Sequence, residues 1–248
     1  MVLLGFKFDI ACAISNKAEM LSKQSWILSY CASKKLPFDG NINYEFNHEN
    51  ICNIKHIPPC DVVVNFAAET HVDNSIMSSG VFLHSNVNGV HHLLELIKEQ
   101  PKHKQPVFLH FSTDEVYGDI EVGAHTERDL LKPSNPYSAS KAAADMLITA
   151  WARTYGLKYV IVRPTNNYGT GQYVEKLIPK SVKLLSLGRK IPLHNKGLSY
   201  RNWLHASDTA EAVVTLIEKG QVGEIYNVAG GFEQQNVETV KQVITEFN

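Results

Sequence analysis

The chain is poor in several features that would assign it to a class quickly. It has four cysteines in 248 residues, Cys12, Cys31, Cys52 and Cys60, and no two are spaced as C-x-x-C. That argues against a disulfide scaffold or a zinc site and fits reduced thiols in a cytoplasmic protein. A surplus of charge is lacking too. The formal net charge is −1, which leaves no electrostatic footprint for nucleic acid or a membrane surface as partner. Long apolar runs are missing as well. Met1 to Ile14 is the nearest approach, but Lys7 and Asp9 interrupt it, no basic leader precedes it, and it is too short to span a bilayer. It reads as a buried strand or a damaged start rather than a targeting signal. Eleven histidines include no H-E-x-x-H, and the adjacent His91 and His92 point in different directions, so no metal site is expected.

What is present is an alternation. Apolar strand-like runs fall at Cys60–Phe66, Val107–Phe111, Lys158–Val162 and Glu224–Val228. Helical periodicity lies between and after them, near Val81–Glu99, Pro136–Tyr155, Val174–Leu187, Ser207–Lys219 and Val237–Phe247. Fainter strand signals at Trp26–Tyr30 and Asn43–Phe46 flank the turn-rich Lys35–Gly40. Strands alternating with helices of ten or more residues imply βαβ units and a mostly parallel, doubly wound α/β sheet. The length suffices for one large domain with a small appendage. After Arg163 prolines become frequent (Pro164, Pro179, Pro192) and loops lengthen, as in a ligand-binding lobe built beside the sheet.

Two segments carry the chemistry. The strand ending at Phe111 is followed by Ser112-Thr113-Asp114-Glu115-Val116-Tyr117-Gly118, and the loops at the carboxyl ends of strands are where such sheets bind ligands. Further on, Tyr137 and Lys141 stand four residues apart on one helix, on the same face and about one turn apart. There an ammonium can favour the phenolate and lower the tyrosine pKa, giving a proton acceptor near neutral pH. Two carboxylates beside such a base suggest proton removal and water loss in addition to hydride transfer.

With these residues the chain resembles the extended short-chain dehydrogenases/reductases, and within them the nucleotide-sugar 4,6-dehydratases acting on dTDP-glucose or UDP-glucose. The resemblance runs from about Asn43 to the C-terminus. It rests on Asn65-Phe66-Ala67-Ala68-Glu69-Thr70-His71-Val72-Asp73-Asn74-Ser75, Ser112–Gly118, Tyr137-x-x-x-Lys141 and Asn166-Asn167-Tyr168-Gly169, with Gln172–Pro179 and Arg201-Asn202-Trp203-Leu204 in support. Tyr-x-x-x-Lys alone occurs in many helices; the ordered set is specific. The resemblance implies a Rossmann-like doubly wound sheet with a small, incomplete substrate-binding lobe. Residues 1–163 would be the dinucleotide-binding portion, with a degenerate first βαβ unit. Residues 164–248 would be the substrate-binding portion, interleaved with the last sheet elements. NAD is the implied cofactor, a nucleotide-diphosphate sugar the substrate, and a homodimer the implied assembly, through the helices near Val81–Glu99 and Pro136–Tyr155.

The same resemblance assigns roles. Tyr137 would accept the proton of the sugar 4-hydroxyl as hydride leaves C4, and Lys141 would hold the cofactor ribose and keep the tyrosine acidic. Glu115 would remove the C5 proton, Asp114 would protonate the departing C6 hydroxyl, and Thr113 would hydrogen-bond the C4 oxygen. Ala67, Ala68 and Glu69 would line the nicotinamide side. Asn166, Asn167, Lys176 and Arg201 would contact the substrate, Arg201 and Asn167 at its diphosphate.

The chain departs from this pattern at its start. Where the family has a strand and a G-x-x-G-x-x-G turn that lets a helix N-terminus approach the pyrophosphate, Met1 to Ala13 holds a single glycine, Gly5. Residues bearing a Cβ in place of close-approach glycines crowd the phosphates. Trp26–Tyr30 lacks the acid expected to bind the ribose, and Asn50 stands where an aspartate meets the adenine. The family also continues several tens of residues beyond Asn248. A fragment, a gene-model error at the start and a divergent member with impaired cofactor binding all fit. Three functions stay open on the sequence: a dehydratase, an epimerase or decarboxylase of the same superfamily, and a cofactor-impaired nucleotide-binding relative. Asp114 and Glu115 favour the first.

Overall fold

The structure, a computed structural model, describes residues 2–5 and 49–247. Down the chain come β1 (Val2–Gly5), β2 (Val62–Phe66), the short helices α1 (Val72–Met77) and α2 (Ser79–Phe82), a π-helical segment over Leu83–Asn88, and α3 (Gly89–Glu99). Next are β3 (Val107–Phe111), a 3-10 turn at Asp114–Tyr117, α4 (Pro136–Tyr155), β4 (Tyr159–Pro164), β5 (Asn166–Tyr168) and α5 (Leu177–Ser186). The chain then runs through β6 (Tyr200–His205), α6 (Ala206–Lys219), β7 (Ile225–Val228), β8 (Phe232–Gln235) and α7 (Asn236–Phe247).

The main sheet has the order β1-β2-β3-β4-β7 and all its described pairings are parallel. Its strands read as near-continuous apolar runs (VVVNF, VFLHF, YVIVRP) because helices cover both faces. On one face, Val90, Leu93, Leu94 and Ile97 of α3 and Ala144 and Ile148 of α4 pack on Val63, Phe108 and Ile161. On the other, Ala206, Ala210 and Val213 at the start of α6 pack on Val64, Leu109, Phe111 and Val162. Beside the sheet stands a smaller one of order β5-β6-β8, parallel between β5 and β6 and antiparallel between β6 and β8.

The strand at the N-terminus is thus present: Val2–Gly5 runs beside Val63–Phe66, with Gly5 opposite Phe66. The turn that follows it, and the faint strand signals at Trp26–Tyr30 and Asn43–Phe46, lie outside the described residues. Two expected helices differ. The Val81–Glu99 helix is a composite, because six residues in the middle take the wider π turn. The Val174–Leu187 helix begins only at Leu177, because the Lys176 N–H closes a turn on the Tyr173 carbonyl while Lys176 itself is extended. Among the described residues no helix is long and apolar enough to cross a membrane.

Candidate active site

The site forms where β2 and β3 end and α4 begins. Asn135 caps α4 by accepting from the Ser138 N–H at 2.9 Å, Ser138 Oγ accepts from the Asn135 N–H at 3.2 Å, and Pro136 follows at the first helical position. This reciprocal cap with a preset first φ starts the helix one residue before Tyr137. Leaving β3, the Ser112 N–H still donates to the Val162 carbonyl at 2.7 Å, so the strand holds its register to the edge of the site. Thr113 is then extended, and its hydroxyl accepts from the Glu115 N–H at 3.3 Å and donates to Asp114 Oδ1 at 3.2 Å. Thr113 therefore holds the Asp114 carboxylate and the Glu115 backbone in this turn. Gly118 closes this turn with φ +87°, where an added Cβ would lie 2.3 Å from the Lys132 carbonyl oxygen; only glycine fits.

Tyr137 is buried, with its ring edge-on to Phe82 at 6.4 Å between centroids and its N–H donating to Ser75 Oγ at 3.1 Å. Its hydroxyl shares a hydrogen bond with Thr113 and faces the charges of Glu115 and Asp114. Glu115 in turn accepts from Asn135 Nδ2 at 3.4 Å. From the opposite side Lys176 approaches, donating to the carbonyl oxygen and the hydroxyl of Thr70 at 2.8 and 3.1 Å and feeling the charges of Glu175 and Glu115. Burial holds the Lys176 ammonium below its ordinary range. Thr113, Asp114, Glu115 and Tyr137 thus converge, with the Lys176 charge within reach of Glu115.

The expectation that Lys141 lowers the Tyr137 pKa is not met. Burial first, then Glu115, push the phenol well above its ordinary value, and the Thr113 hydrogen bond opposes them only in part. The reason is where the ammonium sits. Lys141 Nζ donates to the Phe111 carbonyl at 2.6 Å and lies 3.3 Å from His110 Nε2, turned toward β3. The i, i+4 spacing puts the two residues on one face but does not aim their side chains at each other.

The Ala67–Glu69 segment is held from two sides. The Ala67 N–H donates to Asn65 Oδ1 at 3.1 Å. Asn86, in the π segment, accepts from the Glu69 N–H at 2.8 Å and donates to the Glu69 carbonyl at 3.0 Å and to Ser140 Oγ at 2.9 Å. One asparagine therefore ties this loop to the helix that carries Tyr137 and Lys141. Neither Asn86 nor His110 was singled out by the sequence; Asn86 lies in an ordinary helical pattern and His110 in an apolar strand.

The remaining expected contacts fare differently. Asn166 and Asn167 lie on β5 beside Trp203 and Leu204 of β6. The Asn167 amide is committed inside the fold, donating to the Thr165 carbonyl at 3.0 Å and accepting from the Thr209 hydroxyl, so it is not presented as a phosphate donor. Arg201 is exposed on β6 opposite Gln234, its Nη1 donating to the Tyr200 carbonyl at 3.0 Å. Asn50 accepts from the Cys52 N–H at 2.9 Å in a local turn. The segment expected to carry the pyrophosphate lies outside the described residues.

A parallel sheet covered on both faces, with its polar constellation at the carboxyl ends of the strands, defines a dinucleotide-binding type of α/β protein. The profile of the NAD dependent epimerase/dehydratase family matches residues 43–229, and the chain belongs to that family. It is 41% identical over 224 residues to the dTDP-glucose 4,6-dehydratase of Streptomyces niveus, covering 85% of this chain and 66% of that protein. It is 39% identical over 233 residues to the trifunctional UDP-glucose 4,6-dehydratase/UDP-4-keto-6-deoxy-D-glucose 3,5-epimerase/UDP-4-keto-L-rhamnose-reductase of Arabidopsis thaliana, covering 89% of this chain and 34% of that one. Among solved structures, the dTDP-glucose 4,6-dehydratase DesIV of Streptomyces venezuelae, with NAD and TYD bound, superposes with a TM-score of 0.90 at 33% identity over 99% of this chain and 80% of that chain. The chain thus spans about two thirds of the length of the Streptomyces niveus relative.

Proposed function

We propose that the protein is an NAD-dependent nucleotide-sugar 4,6-dehydratase, converting dTDP- or UDP-glucose to the 4-keto-6-deoxy sugar. The observation that carries the reading is the convergence of Thr113, Asp114 and Glu115 on the hydroxyl of Tyr137. A simple dehydrogenase needs one proton acceptor; a second acid and a second base have use only if water also leaves.

The residues fit the nicotinamide half of NAD. Ala67 and Ala68 present small side chains at the end of β2, Glu69 is pinned by Asn86, and Lys141 and Tyr137 stand on the facing helix. When bound, NAD+ supplies a hydride acceptor at C4 and returns the hydride at C6. The chain's own groups then do the proton work. Tyr137 takes the proton of the 4-hydroxyl, with Thr113 bonded to the same oxygen. The 4-ketone acidifies C5, where Glu115 is the base. Asp114 gives its proton to the departing C6 hydroxyl, and Glu115 returns the C5 proton when the hydride arrives. The position of Lys176 beside Glu115 and Thr70 suits an anionic substrate. Arg201 is the planar donor for the diphosphate, and the small sheet with α5 and α7 forms the sugar lobe. The assembly is a homodimer, and unpaired Cys52 and Cys60 accord with a cytoplasmic protein.

The test is incubation of the purified protein with dTDP-glucose or UDP-glucose and NAD+, followed by assay for a 4-keto-6-deoxy sugar. Product from either substrate supports the reading. Protein that binds NAD+ yet turns over neither sugar overturns it.

A further inference from the structure

The side-chain amide of Asn135 faces two ways. Its Oδ1 accepts from the Ser138 N–H at 2.9 Å, the bond that caps α4, while its Nδ2 donates to Glu115 Oε2 at 3.4 Å. The cap decides which end is which. A residue at this position must offer an oxygen to the free N–H groups of the helix, so the nitrogen is the end left for the carboxylate. The backbone of Asn135 is held as well. Its N–H donates to Ser138 Oγ at 3.2 Å, and its carbonyl accepts from Ser138 Oγ at 3.0 Å and from the Ala139 N–H at 2.9 Å. Pro136 then fixes the next φ. Asn135 has little freedom to swing, and its nitrogen stays where the helix start puts it.

Capping alone does not call for asparagine. Serine and aspartate serve a helix N-terminus about as well, but serine has no second arm and aspartate has no donor. Among the described residues, the bond from Asn135 is the one hydrogen bond received by the half-buried Glu115 carboxylate. Lys176 acts on that carboxylate through its charge, while its Nζ donates to Thr70. The contacts close a ring. The Glu115 N–H donates to the Thr113 hydroxyl, which shares a hydrogen bond with the hydroxyl of Tyr137. Tyr137 stands two residues after Asn135, and Asn135 returns to Glu115. Remove its amide nitrogen and the ring opens at the member carried on a flexible side chain.

We propose that Asn135 is a positioning residue for Glu115: it ties the C5 base to the start of the helix that carries Tyr137. The group that takes the hydroxyl proton and the group that takes the C5 proton then keep one spacing. The role of Glu115 as base rests on the dehydratase reading; the bond that holds its carboxylate does not.

The experiment has two arms. The first uses neither sugar nor cofactor. In protein carrying asparagine labelled with nitrogen-15, the Asn135 side-chain signal is assigned by its loss in Asn135→Ser. An Nδ2 proton of Asn135 should move upfield in Glu115→Ala, as a proton released from a carboxylate does; a signal unmoved by that substitution would overturn the proposal. The second arm is a single turnover with excess protein and saturating NAD+. Absorbance of the reduced nicotinamide rises as C4 is oxidised and falls as the hydride returns. Asn135→Ser keeps the cap, so its melting temperature and the rise should match wild type. The fall, which waits for the C5 proton, should slow by at least about tenfold, toward the roughly 10²-fold that a misplaced reacting group costs. Asn135→Asp also caps, but it offers no donor and sets a like charge beside Glu115, so it should slow the fall at least as much. A residue that merely caps would leave both variants at wild-type rates. That result, or equal slowing of rise and fall, would overturn the proposal. Wild-type protein that gives neither a rise nor a product with either sugar would refute the dehydratase reading, and the first arm then decides whether Asn135 holds Glu115.

Discussion

At the scale of single residues, both carboxylates of the site, Glu115 and Asp114, oppose ionisation of Tyr137. Glu115 is the second cause, after burial, of the raised Tyr137 pKa. Removing that negative charge by Glu115→Gln favours the phenolate. During turnover the same substitution takes away the C5 base. A single-turnover experiment with Glu115→Gln should therefore stop after oxidation, leaving reduced cofactor and a 4-keto hexose on the protein, and near-normal turnover would refute the role. Tyr137→Phe should cost more than about two decades of kcat, since a positioned base contributes roughly 10²–10⁴-fold. The variant should remain folded, because the ring contact with Phe82 and the backbone bond to Ser75 both survive.

At the scale of elements, the helix between β2 and β3 shows where sequence reading succeeds and where it stops. Its apolar periodicity was legible, since Val90, Leu93, Leu94 and Ile97 all face the sheet. The π turn inside it was not, because one widened turn leaves the i, i+3, i+4 pattern nearly unchanged. Yet that turn carries Asn86, the link between the Glu69 loop and α4. Asn86→Ala leaves the Glu69 N–H and carbonyl without their partner in a half-buried place, which should cost about 1–3 kcal/mol. Denaturant melts should show that loss, and amide exchange should show faster opening at Glu69 than in α3; unchanged exchange at Glu69 would mean the loop is held by something else. The strands β2, β3 and β4 were legible because strands buried on both faces read as apolar runs, and the half-buried β7 from its place in the strand–helix alternation. The small sheet was missed because β5 is three residues long and β6 and β8 are only partly buried, so neither has an apolar run nor a clean alternation. Motif order located the Thr113–Glu115 turn and Tyr137, but spacing alone gave no direction for Lys141, whose orientation depends on a carbonyl and a histidine from a strand thirty residues away in sequence.

At the scale of the whole molecule, two expectations can be measured. Ile76, Met77, Val81 and Leu83, on α1, α2 and the π segment, are each at least half exposed, and Met146 on the adjoining α4 is 51% exposed. The alanine-rich sequence of α4 permits close helix approach, so α3 and α4 with their symmetry mates would make a four-helix interface about a two-fold axis that covers these side chains. Light scattering should give a dimer, and Met146→Lys should shift it toward monomer; a monomer at all concentrations would contradict the assembly.

The cofactor sets the last and hardest condition. The proposed nicotinamide half of the site has the small Ala67 and Ala68, the pinned Glu69, and Tyr137 and Lys141 on α4. On the other half, Gly5 stands alone between Met1 and Ala13, no carboxylate lies in Trp26–Tyr30, and Asn50 spends its side-chain oxygen on the Cys52 N–H. Several hydrogen bonds fewer, each worth about 0.5–1.5 kcal/mol net, amount to a loss of a few decades in affinity at about 1.4 kcal/mol per tenfold. NAD+ titrated by calorimetry should therefore bind this chain well below what a relative with the full glycine turn achieves, while Tyr137→Phe and Lys141→Met should weaken it further through the ribose end. Tight stoichiometric binding would mean that residues between Phe6 and His48 rebuild a phosphate site without the expected glycines. Side chains between Met1 and Ala13 would then not crowd the pyrophosphate, and the proposed chemistry would be available to the chain.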